Sequence, residues 1–323
     1  MIAPLVRAAR RAATRPRAAA FVLQLLEGIG AHTLADHVDR IRSDDDLVAI
    51  TVPPPTRALR SRRFRMYSLD DRDQVVRALR TGGWLSFEAP LPSVLTRLVR
   101  RWPDTLLDVG ANTGFYSLLA VTAHRGARAI AFEPVPEIVE LLQANLAANP
   151  QGRRVRVQAV AIGDESGTAA LHLPHAQADG TVETSASLDP GFKGTIDRVV
   201  EARADTLDGA WTSAGRPPVS VVKIDVEGAE PRVLAGASEL IEACRPVLTV
   251  EVLRDADLDA LEALQARHRY VDVTLSPAEA VVNRPRLVAD DLAPNHLLVP
   301  WERLAAVVDE LHYVPRLVVT LLD

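Results

Sequence analysis

The chain has 323 residues, enough at ~150 per domain for two domains or for one large domain with an extension. Hydrophobic residues make up 48% and charged residues 24%, an ordinary globular balance that excludes wholesale disorder and a fibrous repeat. A formal net charge of −5 excludes an electrostatic nucleic-acid binder, and the single cysteine, Cys244, excludes an intrachain disulfide and suits a reducing compartment.

No apolar run approaches the ~20 residues that span a bilayer, so no transmembrane segment is expected and the cytoplasm is the expected location. The first seventeen residues carry Arg7, Arg10, Arg11, Arg15 and Arg17 and no acid. They read as a solvated terminus, with contact to an anionic membrane surface as the alternative. Residues 21–41 place apolar side chains at helical spacing, and Pro53-Pro54-Pro55 reads as a stiff linker. Helices follow over residues 73–80, stopped by Gly82-Gly83, and 93–101. Residues 1–86 are therefore assigned to a mainly helical extension and linker, and 87–323 to one large domain.

From Thr105 the texture becomes strand and helix in alternation. Short apolar strands are expected over residues 106–109, 129–132, 155–162, 219–224 and 246–252. Helices are expected over 115–124, 137–149, from about 228 to 244, and over 258–269. Residues 168–173 alternate and are expected to pair in a hairpin after the 163–167 turn. Near-continuous apolar runs separated by helices mean a parallel sheet covered on both faces. The fold class is α/β: a doubly wound, mostly parallel, Rossmann-like sheet.

In such a sheet the ligand sits beyond the carboxyl ends of the strands, beside the first one. That strand runs into Asp108-Val109-Gly110-Ala111-Asn112-Thr113-Gly114, a glycine turn that opens a helix. Gly110 and Gly114 permit tight backbone geometry and close approach to a ligand. Glu133 ends the second strand, where an acid accepts hydrogen bonds from ribose hydroxyls. The loop is D-x-G-x-x-x-G rather than G-x-G-x-x-G, and Asp108 repels a pyrophosphate but suits a cationic cofactor end. This charge pattern points to S-adenosylmethionine rather than a nicotinamide dinucleotide.

The runs DVGANTGFYSLLA, the Glu133-Pro134 pair, AIGD ending at Asp164, KIDVEGAEPRVLAGA from Lys223 and NHLLVP from Asn295 together resemble the FkbM family of S-adenosylmethionine-dependent methyltransferases. The resemblance covers roughly residues 87–300. It implies the class I methyltransferase type of sheet. It also implies that Asp108, Gly110, Asn112 and Gly114 hold the methionine end of the cofactor and that Glu133 binds its ribose. The adenine is expected around Ala159 and Val160. The fourth strand ends in Asp225-Val226-Glu227, the edge that faces the transferring methyl group in class I enzymes. Asp225 is the first candidate for the general base that removes a hydroxyl proton, and Glu227 the second. Asp225 alternatively holds the acceptor or the cofactor amine.

Glu230 is expected to stabilise a helix start and Lys223 to pair with a carboxylate, while Glu251 is expected to line the acceptor side. His172 and His175 lack a third ligand, so no metal is assigned. The expected reaction is methylation of a hydroxyl on a sugar, glycan or secondary metabolite. Acceptor selectivity is expected from residues 179–200, read as a lid or a passive loop, from 205–218 and from the first ninety residues. The alternatives are an NAD(P)-dependent oxidoreductase and a non-catalytic methyltransferase-like binding module.

Overall fold

A computed structural model describes residues 46–52, 62–69, 73–82, 87–174, 196–254, 256–282, 286–290 and 292–322. The basic first seventeen residues, the 21–41 segment, Pro53-Pro54-Pro55, His175 and most of the 179–200 insertion lie outside them. The described residues begin with β1 (Leu47–Val52) and β2 (Arg62–Tyr67), which pair antiparallel, followed by α1 (Gln74–Gly82) and α2 (Leu91–Arg101). The described part of the extension thus adds a two-stranded hairpin to its helix. The alternation is present in the sequence, with Ile50, Val52, Phe64 and Met66 turned inward, but in β2 Arg63 and Arg65 at the intervening positions mask it. Asp73 caps α1 by accepting from the Val76 N–H at 2.8 Å.

The alternating half runs β3 (Thr105–Val109), α3 (Phe115–Ala123), β4 (Arg128–Phe132), α4 (Pro136–Ala147) and β5 (Val155–Gln158). A small excursion follows, made of β6 (Ala161–Gly163), β7 (Gly167–Pro174), β8 (Ile196–Thr206) and α5 (Leu207–Ser213). The main sheet resumes with β9 (Val219–Ile224), α6 (Glu230–Ala235), α7 (Ser238–Cys244), β10 (Val247–Glu251) and α8 (Leu258–His268). The chain closes with β11 (Tyr270–Leu275), β12 (Glu279–Val282), β13 (Asn295–Pro300), α9 (Leu304–Leu311) and β14 (Val318–Leu321).

Among the described residues nine strands form the central sheet, in the order β14-β12-β11-β13-β10-β9-β3-β4-β5. The five strands from β10 to β5 are parallel, and β13 inserts antiparallel between β10 and β11. Every residue of β3 and β9 is buried, as expected of strands covered on both faces. Their side chains divide by parity. Leu106, Ala129, Val221, Val247 and Leu297 pack with α2, α3 and the hairpin residues Ile50 and Phe64. Leu107, Ile130, Val222, Leu248 and Leu298 pack with residues of α5, α6, α7 and α8.

Two expectations need correction. Residues 155–162 do not make one strand: β5 ends at Gln158, and β6 leaves for a separate three-stranded sheet ordered β6-β8-β7. The break has a cause at the site, because the Gln158 carbonyl accepts from both Glu133 N–H and Val160 N–H, which turns the chain. Nor does β7 pair with β6; both pair with β8, a strand that spans the end of the expected 179–200 insertion and the start of the 205–218 loop. Its charged, alternating stretch carries little apolar signal.

Asn145 on α4 joins this frame to the hairpin. Its side chain is fully buried, accepts from Tyr67 N–H at 2.9 Å and donates to the Thr113 carbonyl at 2.8 Å. Asn145→Ala strands a buried donor and a buried acceptor, at about 1–3 kcal/mol for each group. The expected outcome is a lowered midpoint in denaturant unfolding; an unchanged midpoint would remove Asn145 from the supports of the loop.

Candidate active site

The switch point lies where β3 and β9 end side by side. Asp225 N–H donates to the Val109 carbonyl at 3.1 Å, which brings the Asp225 carbonyl against Gly110. A Cβ on Gly110 would stand 1.8 Å from that oxygen, and the residue has φ +73°, so both space and backbone require glycine. Gly110 and Ala111 N–H groups both donate to the Phe132 carbonyl, at 3.1 and 2.9 Å. Asn112 takes a left-handed φ of 50°, and its Oδ1 accepts from Thr113 N–H at 2.7 Å. Gly114, at φ +91°, opens α3 against Leu142.

Glu133 is 5% exposed, and backbone donors hold both of its oxygens. Oε1 accepts from Val135 N–H and Oε2 from Asn112 N–H, each at 3.0 Å. Burial pushes the carboxyl up to about 7, with the two backbone donors and Lys223 pulling the other way. One carboxylate therefore fixes the end of the second strand to the glycine loop, and each oxygen keeps a second lone pair.

These residues edge an open cleft. Gly110, Asn112, Glu133, Asp225 and Glu227 all line it, with Phe132, Pro134, Val160, Ile162 and Leu171 forming an apolar wall. Two other residues expected at the site stand behind the cleft rather than on its surface. Asp108 is fully buried; its Oδ2 accepts from Ser117 Oγ at 2.7 Å, while Oδ1 has no hydrogen-bond partner. Burial raises its pKa, against the pull of Lys223 and Ser117. Gly114 acts through the helix start. Asp164 is committed elsewhere, in an ion pair with Arg232 at 2.8 Å.

The fourth-strand edge is crowded with charge. Lys223 donates to Asp225 Oδ2 at 2.8 Å, as the expected pairing with a carboxylate requires, and Asp225 keeps 28% of its side chain exposed. Glu227 has φ 57° and Gly228 φ 98°. Glu230 shapes this turn, its Oε1 accepting from Val226 N–H at 2.9 Å and Gly228 N–H at 3.3 Å. Glu251, half-buried at the end of β10, is pushed up to about 9 by burial and then by the charges of Asp225, Glu227, Glu88 and Glu230.

Sequence reasoning missed Glu88 and Tyr116. The Tyr116 hydroxyl donates to Glu88 Oε2 at 2.5 Å, and the Lys223 ammonium lies 5.0 Å from the Tyr116 ring centroid. Burial and the nearby Asp225 push Glu88 up to about 7. The available signal is an isolated acid in the apolar run ahead of α2, just after the expected end of the extension at residue 86. Among the described residues no group of three or more His, Cys, Asp or Glu is arranged to hold a metal ion. Nor is any described helix long and apolar enough to cross a membrane.

Residues 108–271, half of the chain, match the methyltransferase FkbM domain. The chain belongs to that family. The 31-O-demethyl-FK506 methyltransferase FkbM of Streptomyces tacrolimicus is 30% identical over 158 residues, which cover 42% of this chain and 60% of that protein. The methyltransferase sdnD of Sordaria araneosa is 29% identical over 157 residues, with the same coverage of 42% and 60%. The chain thus spans about 60% of the length of these two curated relatives. The 2-O-methyltransferase NoeI of Sinorhizobium fredii is 23% identical over 206 residues, 61% of this chain and 82% of that one. Among solved structures, the methyltransferase FkbM from Methylobacillus flagellatus KT aligns with a TM-score of 0.41 at 16% identity, over 63% of this chain and 47% of that chain.

Gly110→Ala forces a left-handed Cβ into the Asp225 carbonyl. The backbone strain alone is about 1–2 kcal/mol, and the strand ends must also separate. The expected result is a melting temperature lowered by several degrees together with loss of ligand binding in the cleft. A variant with wild-type melting and binding would show that Gly110 is not what sets the approach of the two strands.

Proposed function

We propose that this protein is an S-adenosylmethionine-dependent methyltransferase that methylates a hydroxyl oxygen of a sugar, glycan or secondary metabolite. The observation that carries the cofactor part is the Glu133 carboxylate, clamped by two backbone N–H groups on the wall of the cleft that Asp225 also lines. The cleft fits the cofactor in three respects. Glu133 retains acceptor capacity for two ribose hydroxyls, and the apolar slot of Phe132, Pro134, Val160, Ile162 and Leu171 suits a flat base. Asp108, Glu88 and Asp225 gather carboxyl groups around the Lys223 ammonium beside the glycine loop, a setting that suits a cationic ligand end.

When bound, S-adenosylmethionine supplies a methyl group made electrophilic by its sulfonium. The chain's own task is alignment and proton removal. Gly110 and Asn112 shape the loop that receives the methionine end. Asp225, exposed in the cleft and fixed through Oδ2, accepts the hydroxyl proton of the acceptor, with Glu227 the second candidate. The oxygen acceptor is supported by family membership and by the named activity of the 2-O-methyltransferase relative.

Calorimetric titration with S-adenosylhomocysteine, beside NAD and NADP, tests the cofactor. Binding of S-adenosylhomocysteine alone is expected; binding of a dinucleotide alone would favour the oxidoreductase reading. Glu133→Ala removes charge-assisted hydrogen bonds and is expected to weaken binding about tenfold to a hundredfold. Because ribose hydroxyls favour the ionised carboxyl, affinity should fall as pH drops through about 7, and Glu133→Gln should flatten that profile. A flat wild-type profile between pH 6 and 8.5 would exclude Glu133 as the ribose acceptor. Once an acceptor is in hand, Asp225→Asn should lower turnover far more than cofactor affinity, and unchanged turnover would remove Asp225 as the base.

A further inference from the structure

Lys223 occupies a position in β9 where its neighbours Val221, Val222 and Ile224 are fully buried and apolar, and it is itself only 4% exposed. A lysine in that setting is costly unless its ammonium is paired and hydrogen-bonded. Here it is held from several sides. Nζ donates to Asp225 Oδ2 at 2.8 Å and reaches the Gly110 carbonyl at 3.4 Å. The Tyr116 ring lies on another side, its centroid 5.0 Å away, and the Tyr116 hydroxyl is fixed on Glu88. Burial by itself would push the ammonium down, but Asp225, Asp108 and Glu88 outweigh it and hold the lysine above its ordinary value, so it stays charged.

We infer that Lys223 is a positioning residue of the cleft, a buried ammonium that ties the Asp225 carboxylate to the Gly110 carbonyl and is itself seated by Tyr116 and Glu88. The inference rests on the reading of the cleft as a cofactor site and goes beyond it. It assigns the fixed orientation of Asp225 to a residue that touches neither ligand. It also brings in Glu88, which lies before the family-matched residues 108–271. A hydrophobic residue at 223 would pack the strand as well, but Asp225 would lose its anchor. The Gly110 carbonyl would lose the ammonium that reaches it.

The sequence contains only two lysines, Lys193 and Lys223, so the protein labelled with ¹³C,¹⁵N-lysine gives two side-chain signals, which Lys193→Arg assigns. Lys223 is expected to resonate upfield under the Tyr116 ring and to stay charged to the highest pH at which the fold persists. Asp225→Asn should bring its titration down by about 1–3 units, and Tyr116→Leu should abolish the upfield displacement. Addition of S-adenosylhomocysteine should move the Lys223 signal. Lys223→Met, where it folds, should bind S-adenosylhomocysteine at least about tenfold more weakly, the loss of one charge-assisted tie.

An Lys223 signal that titrates as an ordinary lysine, or that ignores Asp225→Asn, would overturn the inference even if Lys223→Met fails to fold. Wild-type affinity in a folded Lys223→Met protein would also overturn it. Failure of the wild-type protein to bind S-adenosylhomocysteine, with Lys223 still responding to Asp225→Asn, would instead overturn the cofactor reading and leave the tie between Lys223 and Asp225 standing.

Discussion

The closeness of two strand ends governs this structure. The Asp225 carbonyl sits where a Cβ of residue 110 would otherwise be, and that contact is possible only because Gly110 has none. With the strands this close, Asp225 N–H reaches the Val109 carbonyl, and the loop after β3 can turn back to donate to Phe132. The cleft, the placement of Asn112 and the exposure of Asp225 all follow from that approach. A parallel sheet whose order reverses beside β3 leaves a crevice at this edge, and the glycine sets how near its two sides come.

Around the crevice the fold accepts electrostatic cost. Glu88, Glu133 and Glu230 are each pushed up to about 7, by burial first. Raised carboxyl values mean that the folded state holds those protons more tightly than the unfolded chain. Stability is therefore lost as pH rises from the ordinary carboxyl range through about 7. A fold selected for stability alone would place apolar groups there. Carboxyl groups held by backbone donors and by one buried ammonium suit a ligand that carries positive charge at one end and hydroxyls at the other.

The support for the site is spread along the chain. The β1–β2 hairpin reaches the glycine loop through Asn145, and Glu88 reaches the β9 edge through Tyr116 and Lys223. Neither the hairpin nor Glu88 falls within residues 108–271 that match the family, yet Phe64 and Ile50 share the hydrophobic layer of Leu118 and Leu119 on α3. The β1–β2 hairpin before the matched region is thus packed against the helix that the loop opens.

What the sequence by itself determined is whatever local pattern and spacing encode. Continuous apolar runs gave β3, β4, β9 and β10, glycines at 110 and 114 marked the loop, and acids at 133 and 225 marked strand ends. These features follow from backbone geometry and from burial on both faces, which short stretches of chain already express. Only the tertiary structure decided which groups meet. It set Asp108 behind the cleft, joined Glu88 to Tyr116 across 28 residues, and sent β6 and β7 to a common partner in β8. Pairings of that kind depend on through-space distance and shared desolvation, and no local window of residues carries either.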